Sequence, residues 1–183
     1  MARMASAPFP GANTPAASFD QPFELLAACH DRVRQRLDLL GRLIPHLQQH
    51  GADAAARSAA DDILRYFELA APHHHEDEER HLVPVLQACD STECRQAAQR
   101  LLDDHVAIRA SWATLRPLLQ QLSPADLAAL DTAAQHFIAL HGPHLQLEDG
   151  LVYPETAARL PALMQAAMGL EMARRRGAVV PPG

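Results

Sequence analysis

Apolar positions recur at three- and four-residue intervals through four long stretches, roughly 24–49, 54–90, 92–121 and 124–169, the period of helices that bury one face. Each stretch is long enough to cross a bundle. The breaks between them are short: His50 to Asp53, then Asp90 and Ser91, then Ser123 and Pro124, where Ser suits an N-cap and Pro the first helical position. Connections of this size favour antiparallel neighbours. The predicted fold is all-α, an up-down antiparallel four-helix bundle over residues 19–169. Residues 1–18, with Pro8, Pro10, Gly11 and Pro15, read as a flexible leader. Residues 170–183, which carry Arg174, Arg175 and Arg176 and close on Pro181 and Pro182, read as a flexible tail.

Composition agrees with the helical reading. Alanine is abundant and only 4% of residues are aromatic, so a core of Leu and Ala, with helices in close approach, is expected. Hydrophobic residues at 48% and charged residues at 21% exclude wholesale disorder. The 183-residue chain has a net charge of -6, and all its basic residues are arginine; this opposes a nucleic-acid or anionic-membrane partner. No segment approaches the length of apolar sequence that spans a bilayer. The three cysteines, Cys29, Cys89 and Cys94, are odd in number and lack CxxC spacing. They read as small buried side chains in a reducing, cytoplasmic setting.

The polar residues add a repeat. His74-His75-Glu76-Asp77-Glu78-Glu79-Arg80-His81-Leu82-Val83-Pro84 is echoed seventy residues later by His144-Leu145-Gln146-Leu147-Glu148-Asp149-Gly150-Leu151-Val152-Tyr153-Pro154. In both, His and Glu stand at i and i+4, on one helical face. The first and third stretches add His30 and His105, each followed by an arginine at i+4, Arg34 and Arg109. The chain therefore reads as two helical hairpins that together supply four imidazoles and two carboxylates. Carboxylates on the inner face of a bundle carry a desolvation cost of several kcal/mol (about 3–5) unless paired or coordinated. A dinuclear cation pair bridged by Glu78 and Glu148 compensates that charge. Mixed nitrogen and oxygen donors suit iron ahead of manganese or zinc.

On these motifs the sequence resembles the hemerythrin-like family, the HHE cation-binding domains, over roughly residues 22–165. The resemblance implies a four-helix bundle around two non-haem iron ions with an oxo or hydroxo bridge. His30, His74, His105 and His144 are then the terminal ligands, and Glu78 and Glu148 the bridges. It also implies a role in binding or sensing dioxygen, nitric oxide, or iron and redox state. One departure stands out. The oxygen-carrying members offer two histidines four residues apart on the third helix, whereas His105 has Leu101 and Arg109 at that spacing. His141 and His81 are candidate additional ligands.

The remaining polar residues have plainer readings. His75, Glu76, Asp77, Glu79 and Asp149 are expected at the surface. Tyr66 is a candidate hydrogen-bond donor to an iron-bound species and, more simply, a core tyrosine; Tyr153 belongs to the apolar wall beside the second motif. Alternative functions are a di-iron oxidase that activates oxygen or peroxide, and a helical interaction module with a structural metal. A carboxylate-poor donor set favours binding or sensing over catalysis. No catalytic triad, phosphate loop or Walker motif competes.

Overall fold

Leu26, His30, Val33, Leu37, Leu40, Ile44 and Leu47 form one buried stripe along α1 (Pro22–His50) in a computed structural model that describes residues 18–178. Gly51, at φ 69°, turns the chain out of α1. The Asp53 carboxylate caps the next helix, accepting from the Ala56 N–H at 2.8 Å. The second rod is built in pieces: α2 (Ala54–Arg65), a π turn (Tyr66–Ala70), α3 (Ala71–His81) and α4 (Val83–Gln87). The third, α5 (Thr92–Gln121), is continuous, capped by Ser91 and closed by Leu122 in the left-handed region at φ 45°. The fourth runs from a 3-10 turn (Pro124–Asp126) through α6 (Leu127–Leu147) and a second π turn (Glu148–Val152) into α7 (Tyr153–Arg159). No strand occurs among the described residues. The predicted four-rod helical bundle is the observed architecture.

These interruptions sit at prolines, whereas Pro45, Pro117 and Pro143 lie inside continuous helices. Proline has no N–H to donate, and its ring crowds the carbonyl four residues back, that of Glu68 for Pro72 and of Gly150 for Pro154. Each of these prolines stands two residues beyond a π turn, whose extra residue displaces the crowded carbonyl. At Pro84 the same conflict instead ends α3 at His81, with Leu82 between the two helical pieces. The uninterrupted stretches expected at 54–90 and 124–169 are therefore segmented rods.

The expected tail also differs. After extended Leu160 and Pro161 the chain forms α8 (Ala162–Arg175), which runs through 170–175 and buries Met168, Met172 and Ala173. Gly169 lets α8 approach closely, since a Cβ there would lie 1.8 Å from the Phe19 carbonyl oxygen. Arg175 and Arg176 both pair with the fully buried Asp77 on α3, so two of the three tail arginines hold α8 to the bundle. The expectation of an exposed Asp77 is corrected by the same contacts. The leader lies outside the described residues except for exposed Ser18, as do residues 179–183.

Two apolar cores fill the bundle. One gathers Leu40, Ile44, Ile63, Phe67, Leu115 and Phe137; the other gathers Leu26, Leu82, Leu86, Leu101, Val152 and Met172. Each fully buried Leu or Phe among them contributes about 2 kcal/mol. A polar layer lies between: His30 follows Leu26 and precedes Val33 in the α1 stripe, and His105 stands between Leu101 and Ile108 on α5. No helix among the described residues is long and apolar enough to cross a membrane. Cys29, Cys89 and Cys94 are free thiols.

Candidate metal centre

All six residues singled out by the repeat are buried in that layer: His30, Glu78, His105 and Glu148 are fully excluded from solvent, and His74 and His144 nearly so. The structure divides the donors into two groups. His30, His74, Glu78 and Glu148 present ligand atoms within 4.8 Å of one another, and His75, His105 and His144 form a second such group. The carboxylates lie between the two. Glu78 turns Oε1 toward His74 Nε2 (3.5 Å) and Oε2 toward His105 Nε2 (3.3 Å). Glu148 turns Oε2 toward His30 Nε2 (3.1 Å) and Oε1 toward His144 Nε2 (3.0 Å).

Several of these donor atoms make no hydrogen bond. Both ring nitrogens of His74, His105 Nε2, Glu78 Oε2 and both Glu148 oxygens are buried with no hydrogen-bond partner. Orphaned buried polar atoms are rare because each costs about 1–3 kcal/mol. Nitrogen and oxygen donors ringing one cation at about 2.0–2.2 Å stand roughly 3 Å from their neighbours, the spacing seen here. The residues fit a pair of cations.

The outward nitrogens of two imidazoles are held from behind. His30 Nδ1 lies 2.7 Å from Asp149 Oδ1, and Arg34 binds the other Asp149 oxygen at 2.5 Å. His105 Nδ1 lies 2.8 Å from Glu79 Oε1, which Arg109 also holds at 2.9 Å. The plan is the same twice: in each acidic pair the first carboxylate enters the layer and the second orients an imidazole from the other hairpin, locked by the arginine four residues after that histidine. Such support fixes the tautomer and aims Nε2 into the donor layer. Glu79 and Asp149 remain partly exposed, but their oxygens serve the site.

Electrostatics follows from burial and from the crowding of donors. Burial drives His74 down to about 3 and His75 well below its ordinary value, leaving both neutral with lone pairs available. Burial opposes charge on His105 too, but Glu148, Glu78 and Glu79 lift it to about 10. For His30 burial is likewise outweighed, by Glu148, Glu78 and Asp149. Burial, then the Glu148 charge, raises Glu78, whereas Glu148 is held well below the carboxylate range despite its burial by His105, His144 and His30. A cation bound among these donors would displace the protons that the carboxylates draw onto His105 and His30.

Two residues depart from their sequence readings. His75 is buried, not exposed; its ring stacks on His105 at 4.0 Å and completes the second donor group. Tyr153 reaches beyond the apolar wall: its hydroxyl lies 2.6 Å from Glu78 Oε1 and 2.7 Å from His30 Nε2. The π turn accounts for this, because its five-residue hydrogen bond from the Tyr153 N–H to the Glu148 carbonyl brings Glu148 and Tyr153 toward one face. The readable signal was the run of three histidines, His73 to His75. Burial, then the Glu78 and Glu148 charges, keeps the Tyr153 phenol protonated in the absence of a cation.

The suggested extra ligands lie elsewhere. His141 gives Nδ1 to the Phe137 carbonyl at 2.8 Å, and His81 pairs with Glu171 at 2.8 Å. Tyr66 donates to the Cys29 carbonyl at 3.1 Å, away from the donor groups. Beside His75 an apolar cavity of about 200 Å³ is lined by Phe67, Ile108, Trp112 and Phe137, with Glu79 and Arg109 completing its wall.

A helical bundle with one His-Glu donor group beside a group of three histidines defines a cation-binding protein class. The chain belongs to the Hemerythrin HHE cation binding domain family, which matches it over residues 21–156. An uncharacterized protein of Haemophilus influenzae is 30% identical over 161 residues, spanning 87% of this chain and 92% of its own length.

Proposed function

We propose that this is a non-haem di-iron protein that binds a small diatomic ligand, dioxygen or nitric oxide, and thereby senses oxygen, nitric oxide or the iron and redox state of a reducing cytoplasm. The observation that carries the reading is the division of each carboxylate: Glu78 and Glu148 each turn one oxygen to either donor group, as bridges between two ions do. His30 and His74 would hold one iron, and His75, His105 and His144 the other. The donor set, five imidazoles to two carboxylates, is nitrogen-rich and suits iron. When bound, an iron pair supplies reversible redox and an affinity for small diatomic ligands. The chain's own part is to aim the imidazoles, to exclude water, and to offer an apolar approach. The cavity beside His75 suits such an approach. A di-iron oxidase is the second reading, favoured by the same cavity, which is roomier than a diatomic molecule needs.

Elemental analysis of protein purified anaerobically without a chelating tag tests the centre, with about two irons per chain expected. His75→Ala should lower that content and His141→Ala should leave it unchanged. A visible spectrum that changes on exposure to oxygen or nitric oxide and reverts on their removal supports binding. Turnover of an added reductant under oxygen or peroxide supports the oxidase. Metal content that is low and equal in both variants sinks the di-iron reading.

A further inference from the structure

We infer that the Tyr153 phenolic oxygen is a direct ligand of the cation held by His30 and His74, an inference that rests on the dinuclear reading above. The two donor groups are unequal as the histidines alone define them, with three imidazoles in one and two in the other. The Tyr153 oxygen stands on the poorer side, 2.7 Å from His30 Nε2 and 2.6 Å from Glu78 Oε1. Both neighbours are among the atoms assigned to that cation, and the spacings are those of adjacent donors around one ion. With Tyr153 included, each cation has three terminal protein donors and the same two bridging carboxylates.

The phenolic oxygen sits between two atoms already assigned to one cation. The hydroxyl has a single proton, which the short contact to Glu78 takes. With Nδ1 held by Asp149, His30 presents Nε2 to the layer beside the phenolic oxygen. A cation there would accept both lone pairs. The metal displaces the phenolic proton to solvent, the metal–oxygen bond forms, and no electrons are exchanged.

The ring is held for this task. It stacks on His30 with centroids 5.0 Å apart and 22° between planes, Phe23 meets its edge at 6.5 Å, and the residue is buried. A cation saturated from this side leaves an incoming small molecule to approach from the His75 side, where the apolar cavity lies.

The chain has two tyrosines, Tyr66 and Tyr153, which makes the test clean. Full-length protein is loaded anaerobically with ferrous iron and oxidised with ferricyanide, and visible absorption, resonance Raman spectra and metal content are recorded together. Tyr66→Phe, whose position lies outside the site, leaves Tyr153 as the single tyrosine. Its ferric form should show a phenolate-to-iron charge-transfer band and phenolate vibrations that shift when ring-deuterated tyrosine is incorporated. Tyr153→Phe should lose both signals and keep its iron. Two irons without phenolate vibrations in the Tyr66→Phe protein would overturn the assignment and leave the dinuclear reading standing. Phenolate signals with one iron per chain would uphold the ligand and overturn the dinuclear reading. Absence of bound iron would overturn both. The Tyr66→Phe measurement decides the matter even where Tyr153→Phe does not fold.

Discussion

The His74 and His144 motifs share their spacing of His, Glu, second acid and Pro, yet the fold uses them differently. In the first, His75 follows the lead histidine and enters the second donor group; its counterpart Leu145 packs into an apolar core. In the second, Tyr153 precedes the proline and reaches the first donor group, whereas its counterpart Val83 packs in the other core. The backbone separates the cases: a break at Leu82 before Pro84, but a π turn over Glu148–Val152 before Pro154. Each motif thus sends its extra polar side chain to the donor group that holds the other motif's lead histidine. A repeated spacing sets which residues can share a helical face, and the device that accommodates proline sets which of them do.

The comparison predicts equal failure where the motifs are equivalent. Glu78→Ala and Glu148→Ala should each abolish loading of both ions, because each removes a group shared by both donor sets; elemental analysis of anaerobically prepared variants reads this. One variant retaining full metal while the other loses it would break the equivalence.

Asp77 should reveal the largest purely structural difference. It is buried and paired with Arg175 and Arg176, whereas the matching position, Leu147, carries no charge. Asp77→Ala should cost about 3 kcal/mol in denaturant unfolding, the range for breaking a buried ion pair from one side. Leu147→Ala gives the comparison for a partly buried apolar position and should cost less. Proteolysis near α8 should rise in Asp77→Ala alone.

The orienting carboxylates sharpen the symmetry. Asp149→Asn and Glu79→Gln should each lower metal affinity by about 10–100-fold, the usual effect of removing a partner from a ligating histidine. Chelator competition measures both, and a large inequality would show that the arginine-locked pairs are not equivalent.

The smallest expected effect concerns pH. Glu171 is held at about 2 by Arg175 and, after it, His81, below its ordinary value of 4.5. Its lowered folded-state value makes its contribution fully present above 4.5 and lost as pH falls toward 2. Glu171→Gln should therefore flatten the acid limb of the metal-free protein's stability curve over that interval, measured by urea unfolding at several pH values. The second motif has the apolar Leu151 at the position of His81, so an unchanged acid limb would assign acid sensitivity to groups common to both halves.

Local sequence determined much of this protein. Spacings of three and four between apolar residues specify helices, short polar breaks specify antiparallel hairpins, and His and Glu four residues apart specify a shared face. These are properties of neighbouring residues, so His30, His74, Glu78, His105, His144 and Glu148 could be read together from the chain. The phase beyond a proline could not. A π turn rotates everything after it, and whether Pro72, Pro84 or Pro154 takes a π turn or a break depends on the packing around each rod. Tyr153 therefore passed for apolar wall, and His75 for surface. The tail had the same difficulty: Arg175 and Arg176 look like a solvated charge run until α8 folds back on buried Asp77. A buried charge is identified by its partner, and tertiary contact brings together partners nearly a hundred residues apart.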